Sequence, residues 1–334
     1  MISNAPLGII DTLSTGFVIV NKRLWIVLLP ILLDVFLLFG PGVSVSPLVD
    51  EAAAFMQSQV TAQASRNNAA EQEGADFSQA LEQSQEMLTS YRDMNLLAVL
   101  AWQLPSVVAA TSSGSLPRYN GQPMAEVTTM PAFLLSALAL GVLGLLLASV
   151  YLAAIAQALT NDVFSPHILL RRAFFGWLSF VLFFGTLCVM AVTLGGGLIV
   201  ALGFASLLGP GLMAFTGSVS FALVLTASLY LFFVDDAIFV LESWPFRAAF
   251  YSVAVVWRNF WSSLGFVLLV SLILTGMVII WNFIVKNPLG LAPAIVGHAY
   301  IATGFSAAGM LFFSQRFAHL QREVAAMRMS SRSR

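Results

Sequence analysis

Charged residues make up only 9% of this 334-residue chain. Each one inside an apolar run is therefore a candidate for chemistry. Asp34 sits in "LLPILLDVFLLFG", nine residues past Trp25. At ~1.5 Å rise per residue, Asp34 would lie about 13 Å along an inserted helix. An unpaired charge at that depth costs on the order of 3 kcal/mol or more, so Asp34 must be protonated, paired or facing water. His298 lies seven residues into the last apolar run and reaches a similar depth from the opposite end of its segment. An Asp34–His298 pair would act as a proton or cation relay. The alternative is that Asp34 bonds to serine, threonine or backbone groups and fixes helix packing, or faces the polar segment that follows.

A second cluster is Asp235-Asp236 with Glu242, within reach of Arg247 or of Arg171-Arg172. Near a membrane boundary it reads either as a gate for a cation or small solute, or as an ion-paired latch between helices.

Motif-borne chemistry is absent. The chain has no P-loop, G-x-S-x-G, H-E-x-x-H or dinucleotide fingerprint. His167, His298 and His319 lack a second ligand at i+3 or i+4, and Cys188 is the sole cysteine, so neither a metal site nor a cofactor is expected. A net charge of −1 gives no general attraction to nucleic acid.

The elements that must position these residues follow from composition. The chain is 59% hydrophobic with a mean hydropathy of +0.88. Soluble domains carry about 25% charged residues, so this chain is expected to be an all-α polytopic membrane protein. Apolar runs near 24–40, 131–158, 174–202, 212–241, 260–285 and 291–314 predict six transmembrane helices. Gly195-Gly196-Gly197 is expected to kink or end the third, leaving 198–209 as helix, kink or re-entrant segment, and Pro210 marks the turn into the fourth.

With six spans, Lys22, Arg23, Arg171, Arg172, Arg247, Arg258, Arg316, Arg322, Arg328, Arg332 and Arg334 share one side, against Arg66, Arg92, Arg118 and Lys286 on the other. The positive-inside rule then places both termini in the cytoplasm and the protein in the cell (plasma or inner) membrane. Residues 1–40 hold an interfacial helix and the first span. Residues 41–130 form an acidic extracytoplasmic insert of net charge −6, read as a hairpin of two amphipathic helices: Leu48, Ala52, Phe55 and Met56 on one, and Phe77, Leu81, Leu88 and Tyr91 on the other. The stretch 95–110 is apolar but too short to span. Residues 131–314 carry five further spans, and 315–334 form a basic cytoplasmic tail.

Three segments share a plan. "SNAPLGIIDTLSTGFVIVNKRLWIVLL", "FSPHILLRRAFFGWLSFVLF" and "ESWPFRAAFYSVAVVWRNFWSSLG" each open near a proline, carry arginine or lysine, and lead through tryptophan into an apolar run. They read as cytoplasmic interfacial elbow helices, two of them at 164–173 and 243–258, with Ser243 as N-cap of the latter. Trp25, Trp177, Trp257 and Trp261 would be headgroup-level anchors. Arg171, Arg172, Arg258 and the C-terminal arginines would meet anionic lipid.

The third segment also resembles a known family. Glu242, Pro245, Ala248-Ala249, Ser252, Asn259-Phe260-Trp261 and Leu264-Gly265 are similar to the pattern of the six-helix membrane domain attached to some glycerophosphodiester phosphodiesterases and of its stand-alone relatives. The match covers about 30 residues, and elsewhere it rests on layout. The resemblance implies a membrane fold and a structural role for Glu242. It implies no enzyme, since the chain carries no phosphodiesterase domain.

The expected function is therefore a non-enzymatic scaffold or accessory membrane protein, using its external insert and basic tail to meet the bilayer and a membrane protein partner. The alternative is a transporter or channel for a small solute, ion or lipid, using Asp34 and the Asp235-Asp236 cluster. A lipid-modifying enzyme ranks third.

Overall fold

The computed structural model describes residues 6–64, 92, 95–111, 124–160 and 163–332. It is all-α apart from one short strand pair. Five helical segments are long and apolar enough to cross a membrane: Met130–Thr160, Pro166–Ala205, Gly211–Leu241, Phe260–Ile284 and Leu289–Ser330. The protein is a helical, multi-pass membrane protein. Two shorter apolar segments, Ile9–Asn21 and Leu24–Phe39, precede these. The run expected to be the first span is thus a 3-10 turn, Leu24–Val27, followed by α2, Leu28–Phe39, and falls short of the ~20 residues a crossing needs.

By internal contacts the chain divides into two compact units. The first contains residues 1–28, 145–277 and 300–334, and the second residues 29–144 and 278–299.

In the first unit the spine is the latter part of α11, Pro288–Arg332. Helix α1, Ile9–Asn21, runs antiparallel along it: Tyr300 Oη donates to Asn21 Oδ1 (2.8 Å) near one end, and Leu7 N donates to Gln315 Oε1 (3.1 Å) near the other. Small residues permit this approach. A Cβ on Gly16 would stand 2.7 Å from the Ala308 backbone nitrogen, and the Phe17 ring occupies the space above Gly304. Close helix contact through glycine is the usual solution where lipid supplies no hydrophobic drive.

Helix α6, Pro166–Leu208, is continuous. The expected elbow over 164–173 is not a separate element, because no breaking residue follows Pro166. The glycine triplet at 195–197 does not interrupt the helix either. Glycine costs about 0.5–1 kcal/mol relative to alanine in a helix, whereas each backbone group left unsatisfied in lipid costs several. The helix ends at Gly209, whose φ of 127° favours glycine, and Pro210 then opens α7, Pro210–Leu231.

The expected fourth span, 212–241, is interrupted after Leu231. The Ser252 hydroxyl donates to Tyr230 O (2.7 Å) and accepts from Phe233 N (3.2 Å). A side chain inserted into the hydrogen-bond ladder is a standard cause of such a break. Helix α8, Val234–Leu241, follows and is closed by Glu242 in the left-handed region (φ 47°). Helix α9, Pro245–Arg258, starts from Trp244. Ser243 is not its N-cap, since its hydroxyl donates to Ala237 O (3.1 Å). Helix α9 buries Ala248, Ser252, Val255 and Val256, while Phe246, Phe250, Val253 and Trp257 face outward. The outward stripe is thus itself apolar.

In the second unit, β1, Gly42–Ser44, pairs in parallel with β2, Met124–Glu126. Helix α3, Ser46–Ala64, forms the first arm of the insert. The second arm, around Phe77–Tyr91, lies outside the described residues. The stretch after Asn95 folds as a 3-10 turn, Leu96–Ala101, and a short helix α4, Val107–Ala110. It is a packed plug: Leu96, Leu97, Leu100, Leu104 and Val107 are buried. Gly144 of α5, Met130–Thr160, lets the Leu100 backbone come close. Helix α10, Phe260–Ile284, contributes Trp281, whose ring packs over Gly297 of α11.

Candidate functional site

Asp34 is fully buried in the second unit, on α2. Its carboxylate accepts from the Ser106 hydroxyl, from Val107 N (3.0 Å) and from Val108 N (3.4 Å). The Ser106 hydroxyl in turn accepts from Ala109 N (3.0 Å). The free N–H groups at the start of α4 are therefore satisfied by an acid carried on another helix, the arrangement a helix N-terminus favours. Of the two arrangements open to Asp34 from the sequence, the pair with His298 does not form, and the bonding to serine and backbone groups does. His298 is nearly buried and its Nδ1 has no hydrogen-bond partner among the described residues. Three nearby donors satisfy Asp34, leaving no need for a charged partner. Ser106 was invisible as a ligand in the sequence because 72 residues separate it from Asp34.

The cluster of Asp235, Asp236, Glu242 and Arg247 divides. Glu242 bonds Arg171 (3.1 Å) and Arg172 (3.1 Å), and Arg172 also donates to Thr160 (3.2 Å). These contacts tie the end of α8 to the starts of α6 and the end of α5. The Arg172 side chain is 9% exposed and that of Arg171 is 64% exposed, so the inner arginine supplies most of the pairing energy. Arg247, one turn into α9, is exposed and makes no ion pair with described residues.

Asp235 and Asp236 are half-buried in the first turn of α8. Neither has a hydrogen-bond or ion-pair partner among the described residues. Asp236 lies against α11, where a Cβ on Gly309 would stand 3.3 Å from its Oδ2. They form neither the latch with Glu242 nor a pair with Arg247.

Three polar features had no sequence signal. Tyr151 donates to Thr303 Oγ1 (3.0 Å) between α5 and α11, and both residues are buried. Gln157 is fully buried, with Nε2 donating to Ser165 O (3.0 Å) and Oε1 unpartnered among the described residues. Arg316, also buried, lies 3.4 Å over the Phe312 ring and donates to Leu7 O (3.4 Å), with Nε and Nη1 unpartnered among the described residues. A pattern of apolar periodicity cannot announce such contacts, because each joins segments distant in the chain.

Of the tryptophan anchors, Trp257 and Trp261 are largely exposed, Trp25 packs edge-on against Phe164, and Trp177 is half-buried beside Phe174. No family model, curated protein or solved structure matches the chain.

Proposed function

We propose that the protein is a non-enzymatic scaffold or accessory component of the cell membrane, acting through its external insert and basic tail. The observation that carries this reading is the use to which the intramembrane acid is put. Asp34 is consumed by three donors that hold the 106–110 plug, and Glu242 by two arginines that hold helix ends. Side chains spent on packing are not available to a substrate. In this reading the chain makes six crossings, the first through the short segment Leu24–Phe39, with both termini cytoplasmic. Helices α1 and α9 lie at the inner boundary as elbows, and the plan is that of the six-helix membrane domain found beside glycerophosphodiester phosphodiesterases. Anionic lipid meets the arginines on the inner face.

The test is recovery of the protein from native membranes with lipids and neighbours attached, alongside reconstitution into vesicles. The expected result is a stable protein neighbour and no saturable flux. Phospholipid turnover by the isolated protein would promote an enzyme instead. Tags or cysteine labels at the termini, reached only from the cytoplasmic side, check the orientation.

A second reading, transport of a cation or small solute, is favoured by Asp235 and Asp236, which lack partners among the described residues. Uptake abolished by Asp235→Asn with Asp236→Asn would move it to first place.

A further inference from the structure

We propose that the groove between α9 and the last third of α11 holds an acyl chain of an anionic phospholipid, with the headgroup among the arginines of both helices. This rests on the reading of the chain as a membrane protein whose inner face meets anionic lipid, and it gives that contact a place. The groove is open along one side and has a volume of about 700 Å³. Its walls are Phe250, Tyr251 and Ala254 on α9, and Phe317, Leu320 and Val324 on α11, with Arg328 among the lining residues. Pockets of about 300–1,000 Å³ with an apolar lining and few polar groups suit ligands of this kind.

Two observations select the occupant. The first is charge. Arg247 and Arg258 on α9, with Arg322 and Arg328 on α11, face a single acid on these two stretches, Glu323, which is already engaged by Arg258 (2.9 Å) and His319 (3.5 Å). An apolar floor beneath a cationic rim is complementary to an anionic amphiphile. The second is continuity. Phe250 belongs both to the groove and to the outward apolar stripe of α9, Phe246, Phe250, Val253 and Trp257. A chain lying on that stripe reaches the groove without crossing polar surface. Tyr251 and Phe317, 4.8 Å apart between ring centroids, join the two walls. Burial of each methylene there is favourable, as in any lipid anchor.

The experiment uses the full-length protein in detergent, titrated with phosphatidylglycerol or phosphatidylcholine of identical chains and read by native mass spectrometry. The expected result is preferential retention of phosphatidylglycerol. Val324→Trp fills the groove from a position already partly exposed and should abolish retention. Ala254→Phe does the same from the opposite wall. Arg328→Gln should leave the chain bound while cutting the preference about fivefold, the effect of one basic residue near anionic lipid. Equal retention of the two lipids, or retention unchanged in both filling variants, overturns the proposal. So does a co-purifying polypeptide that these variants displace while lipid stays. Alkaline extraction of the host membranes is run in parallel. Protein released by that treatment refutes the membrane reading, whereas protein that stays and shows no lipid preference refutes the groove alone.

Discussion

Asp34 and the pair Asp235-Asp236 look alike in the sequence, as acids set in apolar runs, yet their surroundings are opposite. Asp34 receives a hydroxyl and two backbone N–H groups. Asp235 and Asp236 receive no donor from the described residues, and Asp236 lies near a glycine on α11. The difference does not come from the helices that carry them. It comes from what the rest of the chain brings alongside: a plug with free N–H groups in one case, and a small-residue helix face in the other. An acid in an apolar run is therefore evidence of a constraint, and only its partners say whether the constraint is structural or functional.

The sharpest way to break this contrast is Asp34→Leu. It leaves the Ser106 hydroxyl and two backbone N–H groups without an acceptor, and should cost about 3–5 kcal/mol, the usual penalty for removing one partner of a buried charged network. Thermal unfolding in detergent measures it. Asp34→Asn keeps one acceptor and should lose less, about 1–3 kcal/mol. If Asp34→Asn instead proves neutral, the plug is not held by the carboxylate.

The converse substitution should have the opposite sign. Asp235→Asn with Asp236→Asn removes two neighbouring acids that have no donors, and should stabilise the protein by about 1 kcal/mol or leave it unchanged. A marked loss of stability, together with stabilisation of the wild type but not the variant by an added monovalent or divalent cation, would show that the pair serves an ion. Gly309→Ala probes the same spot from α11. The added methyl would stand 3.3 Å from Asp236 Oδ2, and a small loss, under about 1 kcal/mol, is expected if the carboxylate can shift.

Glu242 lies between these extremes, being partly exposed and paired. Glu242→Gln should cost about 0.5–1 kcal/mol, since one of its arginines is well exposed. Glu242→Gly removes the same ion pairs but relieves a left-handed backbone (φ 47°), so it should be no worse than Glu242→Gln. A larger loss for glycine would mean that the side chain packs as well as pairs.

Much of the architecture was legible because hydrocarbon imposes a length and a composition on anything that crosses it. The expected spans at 131–158, 174–202, 212–241 and 291–314 lie inside segments found at Met130–Thr160, Pro166–Ala205, Gly211–Leu241 and Leu289–Ser330, and that at 260–285 matches Phe260–Ile284 to within a residue. The turn at Pro210 was read from Gly209 and Gly211 on either side of it, and a helix does end there. What misled was local. Three glycines signalled a break that the helix does not make. Ser243 looked like a cap and is not one, while Ser252, read only as part of a family pattern, breaks the fourth run. In each case a backbone group's partner was decided by tertiary contact rather than by neighbouring residues.

The sequence by itself determined that this chain is a set of long apolar helices, because periodicity and hydropathy are summed over many residues and tolerate local error. Only the tertiary structure decided which polar atoms meet. Asp34 with Ser106, Glu242 with Arg171 and Arg172, and Tyr151 with Thr303 are each separated by some 70 to 150 positions. Hydrogen bonds act over about 3 Å and depend on direction, so no property of either residue's neighbours in the chain can foretell them.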